Sequence, residues 1–166
     1  MNADPNRRGS AAVGFLDDLD PVEAGAVRCL RLWADGDDAQ ERLRSEFSDR
    51  LGPRQGSDAA DSLHMICSLC AMYGRRPLMR HSASCPCLGA DESCFATFVA
   101  AAGAGDREDA MLMATMLVRA DMAPGLVDPA ARLAMALRRL ALAAVSARRA
   151  PDSAPNVRPS RRATLH

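Results

Sequence analysis

Ser57-Asp58-Ala59-Ala60-Asp61-Ser62-Leu63-His64-Met65-Ile66-Cys67-Ser68-Leu69-Cys70-Ala71-Met72-Tyr73-Gly74 is the stretch that decides the fold. Ala59, Leu63, Ile66, Leu69, Cys70 and Tyr73 recur at the spacing of one helix face, and Gly74 closes the run. The same stretch opens a dense set of soft ligands. His64, Cys67 and Cys70 are followed by His81, Cys85, Cys87 and Cys94, which leaves only Cys29 of the six cysteines outside the cluster.

Moving outward, the helical period returns on both sides. Asp20 reads as an N-cap with Pro21 at the first helical position, opening a helix to Ala34 with Val22, Ala26, Cys29, Leu30 and Trp33 inward. A second helix, from Asp38 to Leu51, carries Leu43, Phe47 and Leu51 and stops at Gly52-Pro53. Beyond the cluster, Asp91 is expected to cap a fourth helix through Ala102, with Phe95, Phe98 and Val99 inward. Asp106 caps a fifth, to Arg119. Its apolar residues point almost all round, as in a buried central helix. The last runs from Pro129 to Ala147 on Leu133, Leu137, Leu140 and Ala144. The expected fold is therefore an all-α bundle of about six helices. It forms a single domain over 15–147, flanked by a disordered N-terminus (1–14) and a disordered Arg- and Pro-rich tail (148–166).

The segment 75–90 breaks the pattern. Pro77, Pro86 and Gly89 interrupt any helix there, so an irregular Cys/His-rich loop is expected. Such a loop can turn several side chains to one side. Cys70, His81, Cys85 and Cys87 would then make a tetrahedral zinc site pinning the loop to the third helix, with Cys67, Cys94 and His64 as alternates. An iron–sulfur cluster on four of the cysteines is the alternative cofactor. The spacing is not that of a standard zinc finger, and Cys67-Ser68-Leu69-Cys70 lies mid-helix, unlike a thioredoxin-type pair. Cys85-Pro86-Cys87 is better placed for thiol chemistry.

All 21 basic residues are arginine, balanced by 21 acidic ones, so no net field steers the chain to nucleic acid or to a membrane. Arg75, Arg76 and Arg80 beside the cluster read either as an anion or partner contact or as structural partners of Asp91, Glu92 or helix C-termini. Weak nucleic-acid contact through arginines is the most their number supports. No uncharged apolar run is long enough for a membrane span, and no apolar leader follows Arg7 and Arg8, which points to a cytoplasmic protein with reduced thiols. Met111, Met113 and Met116 suit a core better than a copper site. No nucleophile elbow, phosphate loop, dinucleotide fingerprint or zincin motif occurs. The sequence thus suggests a non-enzymatic, metal-binding regulatory or adaptor protein with a protein partner. A thiol-redox or iron–sulfur sensor is the first alternative and a zinc hydrolase the second.

Overall fold

The computed structural model describes residues 9–149; segments 1–8 and 150–166, both expected to be disordered, lie outside the described residues. In chain order come β1 (Ala12–Phe15), a 3-10 turn (Leu16–Asp18), α1 (Pro21–Ala34), α2 (Asp37–Leu51), α3 (Pro53–Tyr73), β2 (Cys87–Gly89), α4 (Ala90–Ala104), α5 (Arg107–Leu117) and α6 (Pro124–Arg149). The expected all-α bundle is present. Its boundaries show where local chemistry prevails. Asp20 caps α1 by accepting the Val22 and Glu23 N–H groups at 2.7 and 3.0 Å, ahead of Pro21. Gly52, at φ +84°, turns α2 back into α3. A β-carbon at Gly56 would sit 2.5 Å from the Ser48 backbone, so α2 and α3 meet at close range there.

The main core draws on all six helices, with α3 and α4 each packed against α6. Leu63 and Ile66, Phe95 and Phe98, and Leu133 and Leu137 are all buried in it. Two expectations about these elements are corrected. First, α6 starts at Pro124, not Pro129, and extends past Ala147 to Arg149. Pro129 sits in its second turn, where it cannot donate to the Gly125 carbonyl. Burial of Leu126, Val127 and Ala130 on that face outweighs the lost bond. Second, α5 is not the central helix. Leu112 and Met116 are 63 and 64% exposed, Met111 and Met113 are only partly buried, and the face α5 turns inward is Ala110, Ala114 and Leu117. The helix that meets all the others is α6, and α4, with its small alanines and large phenylalanines, packs against α1, α5 and α6.

The third correction bears on function. The expected disordered stretch 1–14 includes most of a strand: β1 pairs antiparallel with β2, in the register Ala12↔Gly89, Gly14↔Leu88 and Phe15↔Cys87. The ladder is extended by Leu16 N–H donating to the Pro86 carbonyl at 2.9 Å and Ala90 N–H to the Ala11 carbonyl at 3.1 Å. Beneath this ribbon, Leu16, Val27, Leu88 and Ala96 form a second, smaller core. Composition alone did not show this, because four residues of Ala, Val, Gly and Phe become a strand only when a partner edge is supplied. The loop 75–90 is accordingly not irregular to its end: its last three residues before α4 are strand.

Removing residues 1–15 is expected to accelerate hydrogen exchange at Ala90 and through β2, and to lower the melting temperature. The amides of α3 and α6 should keep their protection. Unchanged exchange at Ala90 would show that the ribbon does not hold this segment.

Candidate functional site

The segment between α3 and α4 is held by two buried charges. Arg31 and Glu92 are 1 and 0% exposed, values that exclude water from both. Each must therefore be fully paired. Arg31 Nε donates to Glu92 Oε1 at 2.7 Å and one Nη2–H donates to Glu92 Oε2 at 2.9 Å, a bidentate fork. The remaining N–H groups go to backbone carbonyls of the segment: Ser82 at 3.2 Å, Cys85 at 2.6 Å and Cys87 at 2.6 Å. All of the guanidinium donors are thereby used.

Glu92 gathers the other side of the same segment. It accepts the His81 N–H at 2.9 Å, His81 Nδ1 at 3.0 Å and the Gly89 N–H at 2.8 Å. A carboxylate only accepts, so Nδ1 carries the imidazole proton in this arrangement. Glu92 is the third residue of α4 and closes on the N–H of Gly89, the N-cap, in place of the expected Asp91 cap. Burial alone would raise the Glu92 pKa. The hydrogen bonds from Arg31, the Gly89 amide and His81 outweigh it and hold the carboxyl at about 2, down from 4.5. Contact with Glu92 likewise raises the Arg31 pKa, against its own desolvation.

Asp91, also buried, binds the first half of the segment. It takes both terminal nitrogens of Arg76 at 2.5 Å and the Met79 N–H at 2.8 Å. Arg80 donates to the Ala34 carbonyl at the C-terminal end of α1, at 3.0 Å. These two arginines follow the structural reading of the run. Arg75 differs: it is exposed and has no hydrogen bond or ion pair with another described residue. At the start of the segment, Gly74 bridges to Val118, and Arg119 N–H donates to the Tyr73 carbonyl at 3.1 Å.

The expected ligand set of Cys70, His81, Cys85 and Cys87 is not assembled. Among the described residues, no three His, Cys, Asp or Glu side chains are grouped to hold a metal ion. Cys70 and the alternate Cys67 are buried in the core, where helical periodicity directs them. His81 is committed to Glu92. The alternate His64 accepts the Trp33 indole N–H at 3.3 Å, and the two rings meet edge to face. The alternate Cys94 packs against the core. Cys85 and Cys87 lie half-exposed on the segment, where interaction with Cys85 raises the Cys87 pKa, while Cys67 lies near Cys70 and Cys29, and Cys70 near Cys94. Burial lifts the Cys29 and Cys70 thiols to about 12 and the Cys67 thiol well above its ordinary value.

Beside the anchored segment, a cleft of about 470 Å³ opens between α1, α3 and residues 74–80. Leu30, Trp33, Cys67, Cys70, Ala71 and Leu78 supply its apolar wall, while Arg75, Arg76 and Arg80 stand in its lining and, among the described residues, no carboxylate does. A second cleft of about 460 Å³ lies across Arg75 and Arg76, and there Asp91 is part of the lining. No protein family, curated protein or solved structure matches the chain.

Arg31 and Glu92 were the residues that sequence reading missed as a pair. A signal for Arg31 exists: Ala24, Val27 and Arg31 share a second face of α1 that the structure buries. An arginine on such a stripe requires a buried acceptor.

Two outcomes test the network. Arg31→Lys keeps the charge but offers three donors, stranding buried acceptors at about 1–3 kcal/mol each. Chemical denaturation should therefore show a loss of roughly 2 kcal/mol or more. The depressed Glu92 pKa stabilises the fold fully above pH 4.5, and that contribution fades as pH falls from 4.5 towards 2. Its size is about 3 kcal/mol. The stability gap between wild type and Glu92→Gln should accordingly shrink over that acid range; a constant gap would contradict the assignment.

Proposed function

We propose that the protein is a non-catalytic binding module, regulatory or adaptor in role, whose recognition surface is the segment 74–89 with its arginines. The observation that carries this is the combination of a rigidly anchored backbone with Arg75, an exposed cation that has no polar partner among the described residues. Anchoring removes most of the ordering entropy that a flexible loop would lose on binding. Arginine presents a planar donor fork suited to carboxylate and phosphate groups. Against catalysis, the cleft thiols of Cys67 and Cys70 are held protonated, so they are poor nucleophiles at neutral pH. The segment was expected to be fixed by zinc; in this reading the Arg31–Glu92 pair does that work. Among the described residues, no helix is long and apolar enough to cross a membrane.

The test is a survey of small carboxylates, phosphates and acidic peptides by amide chemical shifts. At least one anion class should perturb residues 74–80, and Arg75→Glu with Arg80→Glu should abolish the response. If no anion of any class moves those amides, the reading fails.

A second reading, a thiol switch, rests on the Cys85–Cys87 pair. Exchange with a low-molecular-weight disulfide such as oxidised glutathione would join the two sulfurs. The pair would lose two protons and two electrons, and the reagent would leave as two thiols. Native alkylation should label Cys85 and Cys87 before Cys29, Cys67 and Cys70, and glutathione disulfide should lower the mass by two hydrogens. Labelling of the buried thiols at equal rates would contradict the placement, and an unchanged mass would reject the switch.

A further inference from the structure

We propose that the cleft between α1, α3 and residues 74–80 is a binding site for an amphipathic carboxylate, an alkyl-chain acid whose tail enters the cleft and whose head meets Arg75 and Arg80. The inference rests on the reading of the segment as a recognition surface and names the ligand class for it. The cleft volume of about 470 Å³ falls within the range of roughly 300–1,000 Å³ typical of small-molecule sites. Its walls divide by chemistry. Leu30, Trp33, Cys67, Cys70 and Leu78 supply apolar surface. Thiols held protonated by burial behave as small hydrophobes in such a wall.

The charge at the cleft has one sign. Arg76 is neutralised by Asp91, with both of its terminal nitrogens occupied. Arg80 spends one donor on the Ala34 carbonyl and keeps others, and Arg75 donates to none of the described residues. With no carboxylate among the described residues of the lining, two cations remain beside an apolar floor, which fits one anionic head on an apolar tail. The cleft across Arg75 and Arg76 lacks this character, since Asp91 cancels Arg76 there. A purely polar anion would leave the apolar floor unused, and a neutral hydrocarbon would leave the arginines unused. The amphipathic acid satisfies both.

Trp33, the chain's single tryptophan, lines the cleft and reports on its occupancy by fluorescence. The full chain is titrated with hexanoate, octanoate and decanoate below their micellar concentrations. Each added methylene should tighten binding about fourfold until the cleft is filled. Octan-1-ol, with the tail but no charge, should bind at least tenfold more weakly than octanoate. Arg75→Glu with Arg80→Glu should cost tenfold or more; both side chains are exposed, and circular dichroism verifies the fold. Ala71→Phe, an exposed position in the cleft wall, should block the longer acids, whereas Arg107→Glu on α5 should change nothing.

Affinity independent of chain length, or equal binding by the alcohol, would overturn the inference. If short polar anions or acidic peptides shift the amides of residues 74–80 but alkanoates show no chain dependence, this ligand class is wrong and the recognition surface stands. If no anion shifts those amides, both fail.

Discussion

The buried fork between Arg31 and Glu92 is the constraint on which the functional half of the molecule depends. Desolvating two charges costs several kcal/mol for each ion, and a bare ion pair recovers that only with good geometry. Here the geometry includes the backbone. Arg31 closes three carbonyls of the segment, and Glu92 closes two amides and an imidazole. The pair therefore replaces a stretch of secondary structure. Residues 80–86 have almost no ladder of their own, and their buried polar groups find partners in these two side chains. Replacing both by hydrocarbon would remove the ions and orphan the backbone together, so the usual tolerance for swapping a buried ion pair does not extend to this one.

The chemistry explains why arginine holds this position. A lysine ammonium is a point charge with three donors, whereas the segment needs donors spread across a plane to reach Ser82, Cys85, Cys87 and the carboxylate at once. The absence of lysine from the chain makes arginine the only available cation, yet Arg31 uses features a lysine lacks. Arg132 and Arg138 are lesser instances: each donates a side-chain nitrogen, to the Ser62 hydroxyl and the Gly103 carbonyl respectively. A uniform arginine composition can thus conceal residues with quite different duties.

What the sequence disclosed followed from period and punctuation. The stripes of α1, α3 and α6 and the stop at Gly52-Pro53 are repeated local signals, and each was legible. Two kinds of feature were not. The β1–β2 ribbon and the Arg31–Glu92 pair join residues far apart in the chain, and neither partner's local sequence demands the other. The extent of α5 burial was misjudged for a related reason: an apolar helix segment is permitted to be central but is not compelled to be. The cysteine cluster illustrates the converse relation between sequence and space. Cys67, Cys70 and Cys85 are close in sequence, but helical geometry turns the first two into the core while the third stays on an exposed turn. Density along the chain became dispersion between core and surface.

That dispersion leaves an anchor with its own dependence on conditions. A zinc-held segment would respond to chelators and oxidants. The carboxylate that holds this segment, with its pKa lowered to about 2, stays ionised through the whole neutral range. The thiols on it, Cys85 and Cys87, are then free of structural duty: their carbonyls anchor the turn, and their side chains do not. Chemistry at those sulfurs can proceed without unfolding the bundle, whose main apolar core does not include them. The same separation applies to the arginines. Arg76 stiffens the segment through Asp91 and Arg80 ties it to α1 by one donor, so Arg75 and the remaining donors of Arg80 can meet a ligand without the backbone having to be rebuilt around it.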